Sequence, residues 1–351
     1  MATRLENYPI VIGVDSFGEI TRGEDGAHLS QPANIRALVD EGVQAEESGL
    51  DFFGLGEHHT AEMPLSAPDL VLASIAAKTS RIRLGSAVTV LGSDDPVRVF
   101  QRYATLDALS QGRAEVILGR GSSIESFPLF GFELADYDAL FEEKLDLFAK
   151  LRSETAITWS GTMRPALSNL DVFPRTAAGA LPTWVGVGGN PASVMRAARH
   201  GLPLMLALIG GNPARYAKLA DLYRSATAEL NLDPLPIGVH SPGHVAATDE
   251  QAQEEYWPTY ETFMLEARRQ RGFPEITRAY FDREVEVGSL YVGSPETVAR
   301  RISKTMTVLG ANRFDLKYGM GPMRQSALME SLRLFGSEVA PLVRDRLRLS
   351  A

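Results

Sequence analysis

The stretch DFFGLGEHHT (51–60) sets two of the chain's six histidines, His58 and His59, directly behind Glu57. An imidazole titrates near neutral pH, so it can donate, accept or relay a proton under ordinary conditions. Neighbouring residues of an extended chain point to opposite sides, so His58 and His59 do not face one ligand together and joint metal chelation is not expected. The H-x-H pair that metal-dependent barrel hydrolases carry on their first strand is also absent. Two readings of the pair stay open: one imidazole working in a pocket, or both satisfied by solvent and core. His240 and His244 in GVHSPGHV (238–245) share a strand face and read as structural, or else as substrate-pocket residues. His200 (RAARHGLP) sits near a helix C-terminus, where a cation suits the dipole, and reads as structural. His28 has no context that assigns it a role.

A second constellation could hold an anion. In GGNPAS (188–193), Gly188 and Gly189 let the backbone approach a ligand, and Asn190-Pro191 starts a helix with Ser193 one turn in. Free amides, the helix dipole and a hydroxyl would converge there. Arg120, in LGRGSS (118–123), could add a bidentate clamp from across the site. Charge-assisted hydrogen bonds contribute roughly 1.5–3 kcal/mol each, enough for an arginine and a few amides to retain a phosphate. The competing reading makes the glycines turn residues and Arg120 a surface ion pair.

These residues need elements to position them. Apolar runs recur at 9–14, 51–56, 82–91, 114–119, 181–187, 202–210, 236–247 and 312–319, several without polar alternation, as in strands covered on both faces. Helix-period segments lie between them. In the first, Ile35, Leu38, Val39 and Val43 share a face and Gly49 ends the helix. Asp95-Pro96, Asn190-Pro191, Asn212-Pro213 and Ser294-Pro295 each place a capping residue before a proline at the first helical position. Asp94 and Asp95 read as that cap and nothing more. Eight strand–helix units predict a single (β/α)8 barrel (TIM barrel) domain over 1–351, with a doubly wound open sheet as the alternative. Barrel chemistry sits just past the strands' carboxyl ends, where EHH, GRGSS and GGNPAS all fall. Two connections exceed plain loops: 120–180, with a helix and a hairpin, and 248–311, rich in aromatic and charged residues. Connections of that length form lids or binding loops.

Composition narrows the function classes. At 351 residues and 44% hydrophobic content the chain can bury a large core. A net charge of −9 argues against a nucleic acid partner. With no cysteine, disulfides, thiolate nucleophiles and thiolate metal sites are excluded. Neither a signal-like apolar run nor a membrane-length span occurs, so a cytoplasmic enzyme is the expectation.

Four stretches together resemble the bacterial luciferase-like flavin-dependent monooxygenases: DFFGLGEHH, LGSAVTVLGSDDPVRVFQRYATLDALSQGRAEVILGRGSSIESFPLFG, WVGVGGNPASVMRAARHGLPLML and YVGSPETVARRI. A closing LFGSEVAPLV is similar to the family's last helix, so the likeness spans about residues 9 to 343. It implies a barrel that binds FMN in its reduced form, a separate flavin reductase to supply it, a small organic substrate and a homodimer as the common assembly. By the same resemblance His58 is the catalytic histidine. Ala87-Val88 matches a segment that lies on the flavin ring and often carries a non-prolyl cis peptide. Gly119, Arg120, Gly121, Ser122, Gly188, Gly189, Asn190 and Ser193 match the cofactor-binding positions. Light-emitting members carry a cysteine before the phosphate arginine and an acidic residue opening the fifth-strand loop. Gly119 and Gly189 stand there instead, and the lid near strand seven differs, which implies a relative with another substrate.

Trp257, Tyr256, Phe263 and Phe127 in the two long connections suggest an apolar or aromatic partner. Alongside the monooxygenase reading stand a deazaflavin-dependent hydride-transfer enzyme on the same fold and a flavin-binding protein without catalysis. A barrel hydrolase ranks last, since neither metal ligands nor a nucleophile with its base is evident.

Overall fold

The structure is a computed structural model that describes residues 8–121, 124–177, 179–271 and 275–349. Its strands are β1 (Val11–Ser16), β2 (Phe52–Leu55), β3 (Arg83–Ser86), β4 (Thr89–Val90), β5 (Ala114–Gly119), β6 (Ile157–Trp159), β7 (Leu167–Leu170), β8 (Thr183–Val187), β9 (Leu204–Ala207), β10 (Ile237–Val245), β11 (Tyr291–Gly293) and β12 (Arg313–Lys317). Eight of them close a parallel barrel in the order β1-β2-β3-β5-β8-β9-β10-β12, with β12 pairing back onto β1. Each overlaps one of the apolar runs read from the sequence, β1 running two residues past its run, and the closed (β/α)8 form excludes the open doubly wound sheet. β4 prolongs β3 along β5, and β11 pairs with the extended end of β10.

Alternation along the strands sorts the side chains. Ile12, Val14, Phe53, Leu84, Val116, Leu118, Val185, Leu206, Val239 and Phe314 face outward into the main core beneath the helices. The inward side carries a smaller apolar cluster of Phe52, Ala87, Ile117 and Met205, flanked by Val11, Val88 and Trp184. Charged groups share this interior. Arg313 bonds both carboxylate oxygens of Asp315 at 2.9–3.0 Å and pairs with Glu115, which also takes Arg83 at 3.0 Å. The Arg313 guanidinium lies 4.0 Å from the Phe52 ring centroid and 4.9 Å from that of Trp184. Burial pushes the Glu115 carboxyl up, but the two arginines outweigh it and hold it below the usual range. Asp315 goes the other way: burial lifts it to about 6, with Asp15 and Glu115 adding to the rise against Arg313.

The predicted insertions are present. After β5 come the helices Ser126–Phe130 and Tyr137–Ser153 and the antiparallel β6–β7 hairpin. After β10 come the helices Asp249–Arg271 and Arg278–Glu286, then β11 and the helix Pro295–Leu309. Asp95, Asn190 and Asn212 cap as expected. Ser294 does not: its amide and hydroxyl both turn to Asp249, the first residue of the long helix after β10. In the helix Gln31–Glu47 the buried face is centred on Asn34, Leu38, Glu41, Gly42 and Ala45, with Ile35 and Val39 at its edge. Glu41 belongs to that face because Tyr318 and Gln325 bond its carboxylate. Among the described residues no helix is long and apolar enough to cross a membrane.

Replacing Arg313 with methionine strips both buried carboxylates of their shared cation. A loss of about 3–5 kcal/mol is expected in urea unfolding. A carboxyl raised in the fold stabilises it below its folded pKa and loses that contribution as pH rises through it, so the deficit should shrink from pH 8 to pH 5. A loss under about 1 kcal/mol at pH 8 would contradict the account.

Candidate active site at the carboxyl mouth of the barrel

His58 leaves the end of β2 and turns inward. Its Nδ1 lies 3.2 Å from a Glu125 carboxylate oxygen, and its ring centroid stands 5.1 Å from that of Phe17. Only about a tenth of the side chain is exposed. Burial raises the Glu125 carboxyl, but the bond to His58 and neighbouring amides bring it below the ordinary range. His59 points away, with Nε2 3.0 Å from Glu57 and its ring edge-on to Phe130. The two imidazoles therefore point to different partners, as anticipated. Neither Glu125 nor Phe17 was found from the sequence: they lie in different βα connections, and no local spacing links either to His58.

Phe17 carries a second imidazole. His240 stacks on it at 5.9 Å with 13° between the rings, and its Nδ1 lies 2.7 Å from Asp15 Oδ2. Burial pushes the His240 imidazole down, yet Asp15 outweighs burial and the opposing Lys317, leaving it above its usual value. Lys317 sits 4.6 Å from the Phe17 centroid and pairs with Glu19. His240 thus belongs to the mouth, the lesser of its two sequence readings. His244 is held by Glu255 at 2.7 Å and stacked on Tyr256, a packing role. His200 ends its helix as expected, but burial lowers its pKa against Asp146 and Glu142, so the expected helix-end cation is disfavoured. His28 is exposed in an isolated bridge to Arg22. Asp94 does more than flank a cap, since it pairs with Arg102.

The Ala87–Val88 peptide is cis. Val88 fills the space above Gly119, where a Cβ would come within 2.5 Å of Val88 Cγ2. Gly119 is therefore fixed by packing. A Cβ on Gly188 or Gly189 would meet nothing within 4 Å, and Gly189 has φ +120°, a backbone that disfavours L side chains. These two glycines form an open cradle at the end of β8.

The helix that follows is less open than expected. Asn190 takes the Ala192 amide with its side chain at 2.9 Å, and the Ser193 and Val194 amides with its carbonyl at 3.1 and 3.4 Å. The buried Ser193 hydroxyl accepts from Arg196 at 3.3 Å. The anion cradle therefore reduces to Gly188, Gly189 and nearby side chains. Arg120 is one of them, but not from across the mouth. β5 and β8 are neighbours, with Leu118 opposite Val185, so Arg120 emerges beside the diglycine turn. It pairs with the exposed Asp138 at 2.6 Å and lies 5.1 Å from the Tyr137 centroid, while the Tyr137 hydroxyl donates to the Gly121 carbonyl at 2.7 Å. Ser122 lies outside the described residues. The lid aromatics divide: Tyr256 and Phe127 are fully buried among Phe281 and Tyr137, whereas Phe263 approaches Lys317.

The mouth thus joins a histidine held by a carboxylate, a cation and an open glycine turn on a closed barrel. Residues 16–313 match the family model for luciferase-like monooxygenases, and the chain belongs to that family. Three solved structures share the fold. The monooxygenase RslO1 from Streptomyces bottropensis is 24% identical, with a TM-score of 0.80 over 95% of this chain and 99% of that one. The oxygenating constituent of 3,6-diketocamphane monooxygenase from Pseudomonas putida, a type II Baeyer–Villiger monooxygenase solved with FMN, is 18% identical with a TM-score of 0.73 over 95% and 98%. The coenzyme F420 dependent tetrahydromethanopterin reductase from Methanopyrus kandleri is 17% identical with a TM-score of 0.71 over 95% and 99%.

Substituting Gly119 with alanine should cost about 1–3 kcal/mol through overpacking against Val88. The same change at Gly188 should stay within about 0.5 kcal/mol. Equal thermal shifts for the two variants would contradict this description of the mouth.

Proposed function

We propose that the protein is an FMN-dependent monooxygenase in which reduced FMN, delivered by a separate flavin reductase, and dioxygen are used to oxygenate a small organic substrate. One observation carries the reading: a cation and an open diglycine turn emerge side by side from β5 and β8, at the mouth where His58 is held. The cradle fits a phosphate. Its glycines leave room for the oxygens, and Arg120 gives up only an exposed partner, an ion pair worth about 0–1 kcal/mol. Gly188, Gly189 and Arg120 would hold the phosphate, with Asn190 and Ser193 fixing the turn behind them. Ala87, Val88 and Gly119 would form the wall beside the isoalloxazine ring, and Gly121 anchors Tyr137 next to Arg120. Bound there, reduced FMN would supply the electrons that activate dioxygen.

This chain's own residues then do three things. Glu125 orients the His58 imidazole and fixes which nitrogen carries the proton, so the other is presented to the reaction. Glu125 comes from the insertion after β5, so ordering that lid and ordering the histidine are one event. The lid and the Phe17 wall exclude water, which keeps the activated oxygen for the substrate. A homodimer is the assembly expected with this reading. The F420-dependent neighbour keeps a second reading alive, hydride exchange with a deazaflavin and no oxygen consumed.

Arg120→Ala should weaken binding of reduced FMN by about 10- to 100-fold, matching the loss of charge-assisted bonds. Riboflavin, which lacks the phosphate, should bind the variant and the parent alike. Equal losses for both ligands would remove Arg120 from the phosphate site. His58→Gln should leave FMN affinity within about twofold but cut product formed per flavin oxidised by about 10²-fold or more. Unchanged coupling would sink the role of His58.

A further inference from the structure

The mouth holds a proton-transfer pair that the flavin reading leaves unused. Along β10 every residue is buried except His240, which keeps 13% of its side chain exposed. Its strand neighbour Ala207, at the end of β9, is likewise partly exposed, as are Phe17, Val88 and Gly186. These residues line one accessible floor. The Nδ1 of His240 is committed to Asp15 at 2.7 Å, so Nε2 is the nitrogen left for a ligand. Asp15 is fully buried, and its second oxygen has no hydrogen-bond partner. The charged groups that face His240 are Asp15 from β1 and Asp315 and Lys317 from β12; His58 stands across Phe17. Lys317, though paired with Glu19, adds positive charge on the face of the same phenyl ring.

We propose that His240, oriented by Asp15, is a second catalytic residue that binds an acidic hydroxyl of the substrate, a phenol or enol, and takes its proton. The O–H bond breaks, the proton goes to Nε2, and the electron pair stays on oxygen. The product is an oxyanion against an imidazolium that is itself paired with Asp15. Net charge and electron count do not change, and no co-reactant is required. Ionising a phenol or enol enriches its conjugated carbon in electrons, the form that accepts an electrophilic oxygen. The two imidazoles then divide the work: His58, held by Glu125, serves the cofactor side and His240 the substrate side, with Phe17 between them. Phe17, parallel to His240 within 13°, offers a flat wall for a conjugated ring. The raised pKa of His240 agrees with this direction of transfer, because the fold favours the protonated ring.

The inference deepens the monooxygenase reading, but its test does not require turnover. The probe is 4-nitrophenol, whose anion absorbs in the visible. A neutral phenol binding neutral His240 and a phenolate binding the imidazolium give the same complex, so affinity should peak between the two pKa values. Bound to the wild-type protein, the probe should ionise at least about tenfold more readily than in water, as expected beside an opposite charge. His240→Asn should return the bound probe's ionisation to its solution value. Asp15→Asn should do the same while retaining the ring, because the tautomer that presents Nε2 as an acceptor is no longer enforced. His58→Gln should leave the shift in place. Circular dichroism monitors folding, and if His240→Asn unfolds, Asp15→Asn carries the test. Absence of binding or of a shift in wild type, or a wild-type shift in both variants, overturns the proposal. Anaerobic titration of the same preparations with reduced FMN separates the two claims. Loss of FMN binding with the phenol shift intact contradicts the cofactor reading, and the reverse contradicts only the role of His240.

Discussion

The buried guanidinium of Arg313 is the constraint on which the rest of the molecule depends. A barrel of eight strands has just enough interior for side chains, and here that space is shared between aromatic rings and carboxylates. Arg313 meets both demands at once: its plane stacks on Phe52 and Trp184 while its edge bonds Asp315 and Glu115. Lysine would not substitute, because a point charge cannot stack and fork together. With this plug in place the accessible floor of Phe17, Val88, Gly186, Ala207 and His240 lies toward the carboxyl ends of the strands.

What gathers at that mouth comes from distant parts of the chain. Asp15 lies in β1 and Phe17 just past it, His58 follows β2, Val88 follows β3, Arg120 follows β5, and Gly188 follows β8. Each is within three positions of a strand end whose register is fixed on both sides, so their relative placement inherits the rigidity of the barrel. The two long insertions add what the barrel cannot supply. Glu125 reaches His58 from the first, and Phe263 reaches Lys317 from the second. The arrangement sets a rigid floor beneath walls that can be replaced, which is how one fold serves many substrates.

Much of this was legible in the sequence because its physical causes are local. Short apolar runs marked all eight strands, several of them without polar alternation because both faces are covered, although β12 hides Arg313, Asp315 and Lys317 on its inward side. Asp95, Asn190 and Asn212 were legible as caps because the residue type and the following proline report the same backbone turn. Position past a strand marked His58 and His59 together, and the family resemblance singled out His58. Contacts set by barrel closure were not legible: no spacing reveals that Asp15 would meet His240, or Glu125 meet His58. Two errors are instructive. The amides of the helix starting at Pro191 were counted as free, yet the asparagine that begins the helix consumes them. Ser294 was read as a cap from its dipeptide, but Asp249 competes for its hydroxyl through a contact 45 residues away in sequence.

The family assigns a flavin-type chemistry and leaves two cofactors in competition, one that hands electrons to oxygen and one that exchanges hydride. The open Gly188–Gly189 turn beside Arg120 is where the phosphate of either cofactor would be tested first. The most direct measurement is an anaerobic titration of the purified protein with reduced FMN and, in parallel, with reduced deazaflavin, followed by admission of oxygen. The account predicts saturable binding of reduced FMN in preference to the deazaflavin, and a changed rate of flavin reoxidation once oxygen is present. Preference for the deazaflavin with no response to oxygen, or binding of neither, would contradict it.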